Sequence, residues 1–236
     1  MEKIIPRELK DPNAFMLMGE MAVKTGLAQR RVIVTIVTVL ALAAAGYFGM
    51  NYWTEKQELK AQVELFKIQN ELDVKRDKWT PEEKSEGLKT YADRYADFVM
   101  QNPGRKASFL AAIEGAGLKF EAQDFAGARD LLKKVSDRLH SGSFYYGLIQ
   151  TQLATALAAS GAPQESVEIL QKVLDAKKQE HLHADASLRL GLVYEEMGEV
   201  EKAKAQYLKT SQEYAQTDAG RSAKAYLRLL QLKSKG

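Results

Sequence analysis

The sequence predicts an all-α protein in which one apolar helix near the N-terminus precedes a solenoid of stacked helix pairs. Three observations predict it. Residues 32–53 form an uncharged apolar run. After them, no stretch alternates between apolar and polar residues with period two. Three helix-pair-sized segments then share one register, at intervals of 38 and 37 residues.

Composition sets the bounds first. The 236 residues suffice for one ordinary domain and an extension. With no cysteine, the chain has no disulfide framework, zinc–thiolate site or cysteine nucleophile. Residues 1–31 hold six Lys/Arg and four Asp/Glu. From residue 54 on there are 28 Lys/Arg against 27 Asp/Glu. A nucleic-acid binder needs a clear basic excess on one face, and the near-neutral body shows none.

The apolar run reads VIVTIVTVLALAAAGYFGMNYW. As a helix it spans about 33 Å, matching a hydrocarbon core of about 30 Å. Nine of its residues are Val, Ile, Leu or Phe. Together they favour insertion by at most about 3–5 kcal/mol. Arg30 and Arg31 flank one end, while Tyr47, Tyr52 and Trp53 gather at the other as an interfacial belt. The expectation is a single-pass helix surrounded by lipid over 32–53, with residues 1–31 as a cytoplasmic tail. The adjacent arginines favour a cytoplasmic N-terminus. A window of 15 residues on each side gives a tie, with Lys24, Arg30 and Arg31 against Lys56, Lys60 and Lys67. Ala43-Ala44-Ala45 also fits a signal-peptidase site, the alternative to an uncleaved anchor. In the tail, Asp11-Pro12 can start a short helix carrying Phe15, Met18 and Met21 on one side.

Residues 54–80 lack glycine and proline, so the helix is expected to continue as a stalk, with Leu59, Val63 and Phe66 at helical spacing. Thr80-Pro81-Glu82-Glu83 starts the next helix. Thr80 caps, Pro81 suits the first turn and Glu83 completes a capping box. That helix carries Leu88, Tyr91, Tyr95 and Phe98, and Asn102-Pro103-Gly104 stops it. Next come a stripe of Phe109, Ile113, Ala116 and Phe120 and another of Ala128, Leu131, Leu132 and Val135. Later turns fall at Ser141-Gly142-Ser143, Gly161-Ala162-Pro163 and Gly198.

The repeat emerges when the segments are superposed. Small residues recur at Ala116, Ala154 and Gly191, and again twelve residues on at Ala128, Ser166 and Ala203. These six are the expected repeat-packing positions, because two helices approach closely only where small residues face each other. A lone pair cannot cover its own apolar face, so pairs stack. The repeats are placed at about 105–140, 143–178 and 181–215. A capping helix is expected at 219–233, with Ala223, Tyr226, Leu227 and Leu230 on one side, completing a repeat domain over 81–236.

The last copy, LRLGLVYEEMGEVEKAKAQYLKT, resembles a tetratricopeptide repeat, with Leu190-Gly191, Tyr194, Gly198, Ala203 and Tyr207 at that family's spacing. The first copy departs from it, with Gln123 in place of the turn glycine and Lys119 where an aromatic is expected. The resemblance implies a tetratricopeptide-like solenoid and a protein-binding groove lined by the first helix of each pair. By the family's spacing the lining is Ile113, Phe120, Thr151, Thr155, Leu188, Leu192 and Glu195. The wider layout of tail, membrane helix ending in Tyr52-Trp53, stalk and degenerate repeats resembles the YfgM-like family of ancillary SecYEG translocon subunits. That resemblance implies a bacterial inner-membrane protein whose C-terminal domain lies in the periplasm. Its partners would be the SecYEG translocon and the membrane-anchored chaperone PpiD, and its task assistance to exported chains. A scaffold for cell-envelope or division machinery is the alternative.

No catalytic constellation, cofactor motif or metal site is expected. His181 and His183 stand two apart and diverge on a helix, and His140 suits a helix C-terminus. Glu195-Glu196 and Glu82-Glu83 are adjacent and also diverge, so a solvated face and a capping turn explain them.

Overall fold

The computed structural model describes Met16 and residues 30–233, and the short helix expected in the N-terminal tail lies outside them. Among the described residues there are nine α-helices and no strand. The chain divides into two compact units at residue 57.

The first unit holds the apolar half of α1 (Arg30–Arg76), a 47-residue helix about 70 Å long. Val32 to Trp53 are all exposed, and α1 is long and apolar enough to cross a membrane. Both threonine hydroxyls of the apolar run are satisfied within the helix. Thr35 donates to the Arg31 carbonyl at 2.9 Å and Thr38 to the Val34 carbonyl at 2.8 Å. Neither hydroxyl therefore adds an unpaired polar group to the apolar surface.

The second unit is a stack of helix pairs. The C-terminal part of α1 pairs with α2 (Pro81–Gln101), α3 (Lys106–Glu121) with α4 (Phe125–Ser136), α5 (Tyr146–Ala159) with α6 (Pro163–Asp175), and α7 (His183–Glu196) with α8 (Val200–Glu213). Helix α9 (Asp218–Lys233) closes the stack against α7 and α8. From Ala61 onward, the stretch read as a stalk buries Ala61, Leu65, Ile68 and Leu72 in the core shared with α2 to α5. Leu59, Val63 and Phe66, the stripe legible in the sequence, face outward instead.

Local signals act where they stand in the sequence. The Thr80 hydroxyl accepts from the Glu83 amide at 3.3 Å, and the Glu83 carboxylate accepts from the Thr80 amide at 3.0 Å, forming the capping box. Gly161 and Gly198 adopt φ +86° and +74° at the turn inside their pairs. In the first copy the same place is taken by Gln123, at φ +59°. The turn is thus kept in geometry where its glycine is missing.

Helices α3 and α5 sit between neighbours and bury small residues over most of their circumference. Ala111, Ala112, Gly115 and Ala116 do so in α3, and Ala154, Ala156 and Ala158 in α5. The stripe of Phe109, Ile113, Ala116 and Phe120 is therefore only part of what α3 buries. A 3₁₀ segment, Lys177–Leu182, links α6 to α7 and carries Gln179, 1% exposed. Its carboxamide donates to the Ser141 and Ser143 carbonyls at 3.0 Å each and accepts from the Gly147 amide at 3.2 Å. One buried side chain thereby ties two linkers together, which the sequence did not announce.

Candidate protein-binding groove

Among the hollows on the side formed by the first helices of the pairs, two are bridged by side-chain hydrogen bonds between those helices. The larger, about 470 Å³, lies between α1 and α3 with α2 beneath. Phe66, Gln69, Asp73 and Arg76 reach it from α1, Tyr95 from α2, and Glu114 and Glu121 from α3. Glu114 organises it, accepting from Gln69 Nε2 at 2.6 Å and from the Tyr95 hydroxyl at 2.8 Å. Burial, and then the neighbouring Glu114 carboxylate, push the Tyr95 hydroxyl far above the usual phenol range, so it stays a donor. Arg76 pairs with Glu121 across the mouth. Asp73, Glu114 and Glu121 outnumber the single arginine, so the lining is acidic, with Phe66 as its apolar edge.

Gly115 explains how α3 comes so near α2. A Cβ there would fall 2.8 Å from Tyr95 Cβ and 3.0 Å from a Leu131 methyl. The close approach that sequence spacing assigns to Ala116 is thus made one residue earlier on the α2 side, while Ala116 itself is fully buried.

The smaller hollow, about 180 Å³, lies between α5 and α7 over α6. Thr155, Ala158, Leu170, Arg189, Leu192 and Glu196 are among its lining residues. Arg189 bridges the two helices, donating through Nε to Asp185 and through Nη1 to the Thr155 hydroxyl, both at 2.7 Å. The Ser166 hydroxyl at its base is buried without a hydrogen-bond partner.

Of the seven expected lining residues, the structure brings Thr155 and Leu192 together in this smaller hollow. Thr151 is corrected. It is 2% exposed, and its hydroxyl donates to the Gly147 and Leu148 carbonyls of its own helix, so it faces the core. The two threonines share a face, but their turns meet different surroundings. Thr155 accepts from Arg189 of α7 at the hollow, whereas the Thr151 turn is enclosed by the core and its hydroxyl turns back to its own backbone. Ile113, Phe120 and Leu188 are half-buried against the core. Glu195 accepts from the Tyr207 hydroxyl at 3.0 Å and meets Lys233 at 3.5 Å, outside both hollows. Ala116, Ala128, Ala154, Ser166 and Ala203 are fully buried, and so is Gly191, against the Tyr207 ring. Sequence spacing did not single out Gln69, Glu114 or Arg189. The one available signal was a charged residue, Glu114, amid the small and apolar residues of α3.

The family model described as tetratricopeptide repeat-like domain matches residues 30–234. None of the curated proteins compared with the chain matches it. Among solved structures, similarity is found to the nearly identical TPR-like repeats of a kinesin-light-chain-type protein of Podosopora anserina. The identity is 18%, with 70% of this chain and 85% of that chain covered, at a TM-score of 0.55. A single-substitution variant of the same repeats is also similar, at 18% identity over 70% of this chain and 84% of that one, with a TM-score of 0.56. MamA is similar at 20% identity over 75% of this chain and 93% of that one, with a TM-score of 0.48.

Proposed function

This chain belongs to the tetratricopeptide repeat-like domain family, a class of protein-binding modules, and from that premise we propose that it works as a membrane-held module at the bacterial inner membrane. Residues 32–53 cross the lipid, residues 1–31 stay in the cytoplasm and the repeats stand in the periplasm. There it serves as an ancillary subunit of the SecYEG translocon beside PpiD, holding exported chains loosely while they fold. The observation that carries this reading is α1. Its 22-residue uncharged run is wholly exposed, whereas the same helix buries Ala61, Leu65, Ile68 and Leu72 some turns later. Such an apolar surface is too large to leave in water. A shallow groove with mixed apolar and acidic lining supports loose binding of extended segments over capture of one fixed ligand.

Two measurements test it. Single cysteines at Lys10 and Lys60, in a chain that otherwise has none, should react with an impermeant thiol reagent from opposite sides of the membrane. Crosslinking in native membranes should recover SecY-type channel subunits and PpiD. Release of the full chain by carbonate, or labelling of both cysteines from one side, sinks the anchor. Recovery of one envelope or division partner without channel subunits replaces the export role with that of a scaffold.

A further inference from the structure

Helix α1 carries two apolar faces where one would suffice for a surface helix. One face, Ala61, Leu65, Ile68 and Leu72, is buried by the chain's own repeats. The other, Leu59, Val63 and Phe66, lies about half a turn away, and these residues are 61%, 50% and 65% exposed. Written as a heptad, Leu59 and Phe66 are d positions and Val63 is an a position. The residues buried against the repeats then fall at c and f, the outer side of a coiled coil. The core packs on the outer side of that seam, while α3 flanks it at g, where Gln69 donates to Glu114 and Leu110 borders the same hollow as Leu59, Val63 and Phe66.

We propose that a second copy of this chain docks in parallel along this outward face of α1, with Leu59, Val63 and Phe66 as the seam. The choice of occupant rests on self-complementarity. A β-branched residue at a with leucine at d is the pattern that favours two parallel strands, and Val63 at a with Leu59 at d matches it, Phe66 adding a larger apolar residue at the next d. Lys56 and Asn70, exposed at the a positions on either side, are the kind of polar residue that fixes register at some cost in stability. In parallel register Glu55, at g, faces Lys60 of the other copy at e, and Gln62 faces Lys67 in the same way. In antiparallel register the e positions would meet each other, setting Lys60 against Lys67. Counted backwards, the same heptad continues through Leu42, Ala45, Gly49 and Tyr52, all exposed. A Cβ placed on Gly49 meets nothing within 4 Å, leaving room for a neighbouring backbone.

The seam outside the apolar run is only about two heptads, shorter than a free coiled coil needs. It gains from confinement of both copies in one membrane. To that extent the proposal rests on the membrane reading.

The test is cysteine crosslinking of the full chain in reconstituted vesicles, with copper phenanthroline as oxidant. Leu59→Cys and Phe66→Cys, at d, should give a disulfide-linked dimer at least ~fivefold more efficiently than Glu64→Cys, a b position that is also exposed. In the Leu59→Cys background, Glu55→Lys should lower the yield about twofold, and adding Lys60→Glu should restore it. Equal yields at the three positions, or no dimer at any of them, overturns the proposal. Carbonate extraction of the same vesicles reads the membrane anchor separately. A released chain that still crosslinks at d sinks the anchor alone, and a retained chain without the d preference sinks the dimer alone.

Discussion

At the scale of single residues, Gln123 and Gly191 show how a degenerate repeat holds its geometry. Gln123 occupies a left-handed turn that Gly161 and Gly198 fill in the other copies. An L-residue in that region carries about 1–2 kcal/mol of strain, while a glycine gives back about 0.4–1 kcal/mol through a freer unfolded chain. Gln123→Gly is therefore expected to stabilise the domain by about 0.5–1 kcal/mol, read as a raised urea midpoint at unchanged slope. Gly191 is the opposite case. A Cβ there would lie 2.5 Å from the Tyr207 ring, which is fully buried, hydrogen-bonded to Glu195 and stacked on Tyr226 at 5.5 Å. The ring has nowhere to go, so Gly191→Ala should destabilise by about 1–2 kcal/mol, despite the helix propensity gained. Gly117, also within a helix, has open space at its Cβ position, and Gly117→Ala should stabilise by up to about 1 kcal/mol. Parallel chemical denaturation of the two alanine variants should give shifts of opposite sign.

At the scale of elements, the joint between α1 and α2 depends on an ion cluster as well as on its core. Glu71 meets Arg94 and Lys75, each at 2.9 Å, and the Arg94 guanidinium lies over the Tyr91 ring at 4.8 Å. Hydrogen bonds from Arg94 and then Lys75 hold the Glu71 carboxyl down at about 2, against an ordinary 4.5. A depressed carboxyl contributes stability above its unfolded value and loses it as pH falls towards the folded one. The Glu71 contribution should thus be complete above about pH 5 and vanish between 4.5 and 2. The carboxylate is 41% exposed, so salt should weaken it too. Unfolding of the chain beside Glu71→Gln, at several pH values and salt concentrations, checks this. A gap between the two that persists at about pH 2 contradicts it.

At the scale of the whole repeat unit, stability is shared between neighbouring pairs. Helix α9 covers Tyr207 and Ala203 with Ala223, Leu227 and Leu230, so it acts as the lid of the last pair. Deleting residues 218–236 should expose this core. Amide exchange should accelerate in α7 and α8, while protection in α2 and α3, several pairs away, changes little. Uniform loss of protection along the stack would show instead that the unit folds all at once.

Much of this was written in the sequence, for a physical reason. An uncharged run, a capping box at Thr80 and Glu83, turn glycines at Gly161 and Gly198, and small residues at Ala154 and Gly191 all act over one helix turn or one helix contact, so spacing alone reveals them. The sequence by itself determined the all-helical class, the pairing register and the apolar helix. Only the tertiary structure decided which face of each helix is left open. It turned Thr151 inward, left Leu59, Val63 and Phe66 outside, and gathered Gln69, Tyr95 and Glu114 from three helices into one hydrogen-bonded cluster. Burial on a helix flanked by neighbours depends on residues distant in the chain, and no periodicity within a single helix encodes where those neighbours will lie.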